Sequence, residues 1–331
     1  MDASNFPSAG PPKASKPEAD VVFMDGVSSL EYLFPEVGEP ERVLKSIQLR
    51  VRAGECWGIT GRADVAVRLL LEIMSNLRPY DAGTCVLVGR GMMRHKRVIL
   101  PHVFYIGSTE MLYGHMNVLE YLMLALSKLY PDRLALQDIL LHFLLQAGLG
   151  DVTLTAVATL TEEQKAVVSL AAASFSESKL IVFNFPGCEF GEPEEEAIAF
   201  LAGTIRQKGG SLVLGTGSCR LIDKACSHTA FLSGGTLLYQ GTADDLKQLY
   251  DTAPVIIRDE DLPKVRERLA PLLPGCRFRE KDGALYVGST GTEERAVYEA
   301  LAKAELLPDS VERNPKTVQS AYEELTYDLP K

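Results

Sequence analysis

The chain has 331 residues, 46% of them hydrophobic and 24% charged, which is typical of a globular protein that buries at least one full core. Its formal net charge of -10 argues against general nucleic-acid binding, which needs clustered Lys and Arg to neutralise phosphates. No apolar run reaches the roughly 18 residues of a membrane-spanning helix. The six cysteines are widely spaced without a C-x-x-C pair, which indicates buried thiols in a reducing compartment, so we expect a cytoplasmic protein.

The sequence pattern of the first part of the chain predicts a tail followed by strands. Residues 1–19 are rich in Pro, Ser and Ala and are expected to form a disordered tail. A turn-rich loop is expected over residues 28–42. Apolar patterns bounded by glycine and proline predict strands at residues 21–27, 43–55, 84–89 and 97–108.

The stretch from residue 54 to 79 has the frame of a phosphate-binding loop. A strand ends in a glycine turn at Gly58 and Gly61, and a helix follows. The helix has apolar residues at helical spacing: Leu70, Ile73, Met74 and Leu77.

The chemistry of such a loop is missing. A working loop reads G-x-x-x-x-G-K-[ST], because backbone N–H groups cradle the phosphates, the lysine reaches their oxygens and the hydroxyl holds magnesium. Counting from Gly61 places Ala66 at the second glycine, Val67 at the lysine and Arg68 at the hydroxyl. The degenerate loop comprises Gly58, Gly61, Arg62, Ala63, Asp64, Val65, Ala66, Val67 and Arg68.

The remaining chain alternates helices and strands. Three helices in succession are predicted at 116–130, 134–150 and 162–175, as an insert in an α/β chain. Further elements are a buried strand at 179–186, a helix at 192–210, a strand at 211–217, a short helix at 219–227 and a hairpin at 229–241. These short links between strands and helices predict a mainly parallel sheet covered by helices. From residue 253 the order strand, helix, strand, strand, helix, strand, helix predicts a ferredoxin-like α+β module.

The segment order over residues 21–249 resembles the nucleotide-binding subunit of ATP-binding cassette (ABC) transporters. The matching segments are GECWGITG, LRPYDAGTCVLVG, VLEYLML, KLIVFNFP and LLYQGTADDL. The C-terminal part, which ends in VQSAYEELT, resembles the small domain after the cassette in drug- and antibiotic-type exporters. The resemblance implies a P-loop NTPase-like domain over 20–250, with a helical subdomain at about 110–175, and a ferredoxin-like domain over 253–331.

The resemblance also implies that the family's functional positions have changed. The glutamine after the third strand corresponds to Ser108, and the switch histidine to Gly217. The second acidic motif has Asn184 in place of a magnesium-binding Asp and Phe185 in place of the catalytic Glu. The signature L-S-G-G-Q is replaced by Leu160, Thr161, Glu162, Glu163 and Gln164.

Some single residues have alternative interpretations. Arg68 could bind an anion at the helix N-terminus, although a surface or salt-bridging arginine is favoured. Tyr32 or Phe34 could stack on adenine, although a buried loop aromatic is favoured. The run from Glu194 to Glu196 is interpreted as a solvated helix start.

These replacements favour a pseudo-ATPase, with no catalytic residue, no bound metal and no cofactor expected, because phosphoryl transfer depends on the lost charges. Such a chain would act as a scaffold or regulatory partner of a membrane transport complex. Two alternatives stay open. One is a divergent, active ABC transport ATPase that uses ATP and Mg to drive export, and the other is a soluble interaction protein with no membrane partner.

The family geometry implies the partners. A membrane permease subunit would dock in a groove between the helical insert and the α/β core, and the chain would lie on the cytoplasmic face of the membrane. A homodimer or a second cassette is another partner, although a chain without loop or signature would spoil both composite sites of a pair. The predicted groove residues are Ser108, Met111, Tyr113, Met116 and Tyr121.

Overall fold

The computed structural model describes residues 20–31, 41–110, 112–249, 253–281, 283–288, 294–314 and 316–326. The expected tail at 1–19 and the residues Tyr32, Phe34 and Met111 lie outside this part of the chain. Within it, none of the helices combines the length and apolar character needed to cross a membrane.

The elements up to residue 110 alternate between two sheets. In chain order they are β1 (Asp20–Glu31), β2 (Glu41–Arg52), β3 (Cys56–Gly61), α1 (Asp64–Met74), β4 (Ala82–Leu87), β5 (Arg90–Gly91), α2 (Lys96–Ile99) and β6 (Val103–Ile106). Strands β2, β1, β4 and β5 form an antiparallel sheet in that order.

The middle of the chain contributes three successive helices and then the rest of the main sheet. The elements are α3 (Val118–Leu126), α4 (Arg133–Gln146), α5 (Glu162–Ala173), β7 (Leu180–Asn184), α6 (Glu192–Gln207), β8 (Ser211–Gly215), α7 (Cys219–Ala225), β9 (His228–Ser233), β10 (Thr236–Thr242) and α8 (Ala243–Leu249). The main sheet has the order β10-β9-β3-β8-β7-β6, and its strands are parallel except for β10. Every residue of β7 and β8 is buried, as expected for parallel strands covered on both faces.

The C-terminal elements form a separate four-stranded sheet. They are β11 (Val255–Arg258), α9 (Leu262–Leu269), β12 (Arg277–Lys281), β13 (Ala284–Gly288), α10 (Glu294–Lys303), β14 (Ser310–Arg313) and α11 (Val318–Thr326). The sheet is antiparallel with the order β12-β13-β11-β14, which is the arrangement expected of a ferredoxin-like β-α-β-β-α-β module.

Helix α11 leaves this sheet and packs on the main one. Val318 and Ala321 are buried in the same hydrophobic cluster as the helices around β8, and the ring of Tyr322 stacks on Phe231 of β9 at 4.6 Å. Asp223 of α7 accepts a hydrogen bond from the Val318 N–H at 2.7 Å. The last helix therefore connects the small sheet to the larger core.

Three element predictions are wrong in detail. Residues 97–108 are not one strand, because a helix and a 3-10 turn precede β6, and Pro101 in that turn has no N–H to donate to a sheet. Helix α1 ends at Met74, so Leu77 lies beyond it and is exposed. The expected loop over 28–42 is shorter, because β1 extends to residue 31 and β2 begins at residue 41.

Candidate functional site

Only two residues, Arg62 and Ala63, separate β3 from α1. Because α1 begins at Asp64, most of the positions expected to form the loop are helical. The N–H groups of Ala66 and Val67 donate to the carbonyl of Ala63 at 3.1 and 3.4 Å, as in an ordinary first turn. Val67 is fully buried. The connection is therefore a tight turn rather than a wide loop.

Gly58 and Gly61, which the sequence placed in a glycine turn, both lie in β3 and are explained by packing. A Cβ on Gly61 would lie 2.7 Å from the carbonyl oxygen of Leu232 in the adjacent β9. A Cβ on Gly58 would lie 2.6 Å from Ile222 of α7. The close approach of neighbouring elements is thus sufficient to require these glycines.

The charged residues of the turn have different surroundings. Asp64 is exposed in the first turn of α1, and Arg68 is exposed one turn later. Arg62 is also exposed, and its Nη2 donates to the carbonyl oxygen of Thr326, the last residue of α11, at 3.0 Å. A positive charge at a helix C-terminus complements the helix dipole.

Asn184 ends β7 and is buried against α1. Its Nδ2 donates to the carbonyl oxygen of Arg68 at 3.2 Å and to the hydroxyl of Tyr105 at 3.0 Å. Its Oδ1 has no hydrogen-bond partner among the described residues. Burial raises the pKa of the Tyr105 hydroxyl, so this hydroxyl stays neutral. The amide therefore ties the sheet to α1.

Phe185 follows Asn184 and enters an aromatic cluster. Its ring lies 4.7 Å from that of Phe183, which in turn lies 5.7 Å from Phe190. The Phe185 N–H donates to Gly215 in the adjacent β8 at 3.1 Å. A phenyl ring accepts no proton and binds no hard metal ion, so this position has a packing role.

The signature positions form the N-terminus of α5. Thr161 and Gln164 make a reciprocal capping box, each side chain accepting from the other's backbone N–H at 3.2 Å. Leu160 is buried before the cap, whereas Glu163 is half-buried. The T-x-x-Q spacing alone is enough to explain why the helix begins here.

Glu162 links α5 to the segment after β6. It accepts a hydrogen bond from the hydroxyl of Thr109, and Lys165 Nζ lies 2.7 Å from its Oε1. Hydrogen bonds from Lys165 and Thr109 lower the pKa of the Glu162 carboxyl. Ser108 is exposed instead, and its Oγ accepts from the Glu110 N–H at 3.3 Å. The sequence identified Ser108 in this segment, but its neighbour Thr109 makes the contact.

The segment at the switch position is held by a buried carboxylate. Gly217 is exposed, and Ser218 beside it donates from Oγ to Glu195 Oε1 at 2.7 Å. Arg220 Nε lies 2.6 Å from Glu195 Oε2, an ion pair without hydrogen-bond alignment. Glu195 is 1% exposed, so the prediction of a solvated helix start is wrong at this residue. Glu195 is buried against the start of α7, where Ser218, Arg220 and Lys224 lie near its carboxylate.

A cavity of about 320 Å³ lies between the segment after β6 and α5. Its lining residues are Thr109, Glu110, Leu112, Gly114, Val157, Ala158, Glu162 and Lys165. Of the predicted groove residues, Ser108 and Tyr113 are exposed, whereas Met116 and Tyr121 are half-buried. These four residues are close in sequence to residues that line the cavity, but they do not line it themselves.

A second cavity, of about 250 Å³, lies beside the turn before α1. Its lining residues are Arg42, Val43, Lys45, Ala63, Val65, Ala66, Leu232, Ser233, Gly234 and Gly235. Arg42 and Lys45 carry no local signal in the sequence, because their place here depends on the tertiary approach of β2 to the β9–β10 turn. In that approach, a Cβ on Gly235 would lie 2.5 Å from the carbonyl oxygen of Val43.

Two of the widely spaced cysteines meet in the fold. The Sγ atoms of Cys56 and Cys226 lie 3.8 Å apart as free thiols, and both side chains are buried. Burial raises the pKa of the Cys226 thiol, which keeps it protonated.

No protein-family model matches the chain. The methionine import ATP-binding protein MetN of Wolinella succinogenes is 25% identical over 209 residues, which cover 62% of this chain and 69% of that protein. MetN 2 of Yersinia pestis (strain Antiqua) is 23% identical over 290 residues, covering 86% and 82%.

Two solved structures show the same fold. An ATP-binding subunit of an ABC transporter gives a TM-score of 0.54 at 18% identity and covers 69% of this chain and 92% of its own. The ATP-binding cassette MJ0796, in a post-hydrolysis dimer bound to ADP and Pi, gives 0.53 at 16% identity and covers 67% and 98%. The homologues are thus ABC transporter ATP-binding subunits and the fold is that of an ABC ATPase cassette, as the sequence predicted.

Proposed function

We propose that this chain, built on an ABC ATPase cassette fold, is a pseudo-ATPase that serves as a scaffold or regulatory subunit of a membrane transport complex. The observation that carries the proposal is the two-residue connection between β3 and α1. A phosphate-binding loop needs several free N–H groups around the anion. Here Ala66 and Val67 use theirs within the first turn of the helix, and the side chain at the position of the loop lysine is the fully buried Val67.

The residues present do not fit a magnesium–triphosphate ligand. Asn184 offers one amide oxygen where the family has a carboxylate, and its N–H groups already bind Arg68 and Tyr105. The exposed carboxylate of Asp64 at the start of α1 would repel phosphate. Phe185 supplies no base to polarise water. We therefore assign no nucleotide chemistry to this site.

The scaffold role is supported by the contact between Glu162 and Thr109. It joins α5 to the segment after β6 across the cavity described above, so the two sides of the proposed groove are held together without a nucleotide. Tyr113, in the same segment after β6, is 53% exposed and offers an apolar contact to a partner. We propose that a membrane permease subunit docks here, which places the chain on the cytoplasmic face of the membrane.

The relatives bear on the class of complex only. They are named as methionine import proteins, and we carry over the pairing with a membrane permease rather than the substrate. We propose a cassette domain over residues 20–250 and a ferredoxin-like domain over 253–331. The assignment of the latter to the exporter type stays a prediction.

Nucleotide titration tests the pseudo-ATPase proposal. Isothermal titration with ATP and Mg²⁺ should give no saturable heat, and a phosphate-release assay should stay at background. An Arg68→Ala variant controls for weak charge-driven binding at the start of α1. Saturable, metal-dependent binding to the unaltered chain would support the active-ATPase alternative and overturn the proposal.

Co-purification tests the scaffold proposal. The tagged chain, isolated from solubilised membranes, should retain a membrane subunit, and a Tyr113→Glu variant should lose it. Leu307→Glu is the matched control, because Leu307 is an exposed apolar residue of the C-terminal module. Recovery of the chain without any membrane subunit would favour the soluble interaction protein.

A further inference from the structure

The segment from residue 90 to 104 concentrates positive charge in an acidic protein. The chain has 44 Asp and Glu residues, yet none occurs between Asp81 and Glu110. The same interval carries cationic side chains at Arg90, Arg94, Lys96 and Arg97, and all four are exposed. We call these four residues, with the exposed apolar residues Met93, Val98, Leu100 and Phe104, the basic edge.

The backbone of the basic edge is fixed by buried residues and hydrogen bonds. Met92 and Ile99 are fully buried in the core between the two sheets. The N–H groups of Arg94 and His95 donate to the carbonyl of Gly91 at 3.2 and 3.1 Å. Asn76 Nδ2 donates to the carbonyl oxygen of Lys96 at 3.3 Å. The exposed side chains therefore project from a defined backbone.

Among the described residues, none of the four cations of the basic edge forms an ion pair with a carboxylate. The ion pairs that are present involve cations elsewhere in the chain, such as Arg78 and Lys165. Glu72 of α1 is already paired with Arg78 at 3.1 Å. The segment before β7 adjoins the edge, because the Lys179 N–H donates to the carbonyl of His102 at 3.0 Å. This segment contributes one positive charge, at Lys179, and one negative charge, at Glu177, so it does not change the net charge. The net charge of the edge is therefore positive and available to a ligand.

Apolar side chains alternate with these cations. Val98 is 51% exposed and Leu100 is 62% exposed. With Ile99 buried, helical geometry places Arg97 on the outward face, with Val98 and Leu100 on either side of it. Phe104 is exposed on β6, the edge strand of the main sheet. Cations flanked by protruding aliphatic side chains suit a surface with anionic headgroups above an apolar layer.

We propose that the basic edge docks this chain directly on an anionic lipid surface, with Arg94, Lys96 and Arg97 at the headgroup phosphates and Val98 and Leu100 in the acyl boundary. Charge complementarity is the argument for this occupant, because the four cations of the basic edge would face the negative headgroups. The rest of the chain, whose net charge is -10 overall, would be repelled by such a surface, so the edge is the part that would face it. The contact needs no permease, so it goes beyond the proposed function.

Vesicle co-sedimentation of the full chain tests the proposal. The chain should sediment with vesicles of mixed phosphatidylglycerol and phosphatidylcholine but not with phosphatidylcholine alone, and raised salt should release it. The double variant Arg94→Glu/Arg97→Glu should lower the partition coefficient by roughly tenfold or more. Lys264→Glu/Arg266→Glu on α9 is the matched control, with the same charge change at exposed positions, and should bind better than the first variant. Leu100→Ser should weaken binding by several-fold.

Three results would overturn the proposal: equal binding to neutral and anionic vesicles, equal losses in both double variants, or capture by immobilised polyglutamate without vesicle binding, which would assign the edge to an acidic protein. Salt release of the unaltered chain keeps the test valid if a variant misfolds, which circular dichroism would reveal. Because the vesicles contain no protein and the buffer no nucleotide, failure here is separable from failure of the proposed function.

Discussion

The side-chain amide of Asn184 donates to the backbone carbonyl oxygen of Arg68 at 3.2 Å, which joins the end of β7 to α1. The amide also donates to the hydroxyl of Tyr105 at 3.0 Å, so both of its N–H groups are used within the fold. Because α1 begins at Asp64, Arg68 lies within this helix and its carbonyl is in reach of the end of β7.

Asn184→Asp should destabilise the fold rather than create a metal site. The change removes both N–H donors and sets a buried carboxylate against the Arg68 carbonyl, so we expect a loss of about 2 to 3 kcal/mol at neutral pH in urea unfolding. Burial would raise the pKa of the new carboxyl above its unfolded value, so the loss should shrink as the pH falls toward the unfolded value of about 4.

Asn117→Asp is the matched control for this variant. Asn117 caps α3 by accepting from the Glu120 N–H at 2.9 Å, a role that Asp fills equally well, so its stability should change little. Recovery of the Asn184→Asp variant on addition of Mg²⁺ would contradict the packing role, because it would mean that the position holds a cation.

Glu195→Ala should destabilise the chain by about 2 kcal/mol, because it removes a buried acceptor from Ser218 and the ion pair with Arg220. Glu196→Ala, on the exposed side of the same helix, should stay within about 0.5 kcal/mol. Thermal and urea unfolding of both variants provide the measurement. Similar losses at the two positions would show that Glu195 acts only through the charge of the helix start.

Elements with strong local signals could be predicted from the sequence. The helices α3 and α5 begin at capping boxes whose residues are three apart in the chain, and β7 is apolar up to its last residue, Asn184. The order of the C-terminal elements was likewise readable, because each is short and bounded by glycine, proline or charge. Local rules decide such features without any tertiary information.

Features that depend on distant contacts could not be predicted. Glu195 lies in a run of carboxylates, and only the approach of α7 makes it the buried one. Thr109 and Glu162 are 53 residues apart, and their contact required the packing of α5 beside β6. The packing position of α11 could not be predicted for the same reason, since its apolar face could have covered either the main sheet or the C-terminal sheet. The residues between β3 and α1 could be read from the sequence, whereas the length of this connection, two residues, could not.

The contact at Glu162 predicts a pH dependence. Hydrogen bonds from Lys165 and Thr109 lower the pKa of this carboxyl in the folded chain. A depressed folded pKa gives stability that is present above the unfolded value, about 4.3, and is lost as the pH falls through the folded value. The stability advantage of the unaltered chain over Glu162→Gln should therefore decrease between about pH 5 and pH 3. Because the carboxyl is largely exposed, we expect at most about 0.5 kcal/mol.

Glu163→Gln, one residue further along α5, is the control for this profile. Urea unfolding of both variants across the acidic range gives the comparison. A constant difference between Glu162→Gln and the unaltered chain at every pH would exclude an ionic contribution from this carboxylate and would weaken the case for a groove held closed by it.

Tyr322→Ala should release α11 from the main core. The ring stacks on Phe231 at 4.6 Å, and the helix is fixed at its two ends by Asp223 and Arg62, so the loss of the ring removes the apolar contact between these polar anchors. We expect a cost of about 2 to 3 kcal/mol and faster hydrogen exchange in α11. Tyr298→Ala on α10, where the residue is 39% exposed, is the matched control and should cost under about 1 kcal/mol. Unchanged exchange in α11 after Tyr322→Ala would mean that the polar anchors alone hold the helix, and Arg62→Ala in the same background would then be expected to free it.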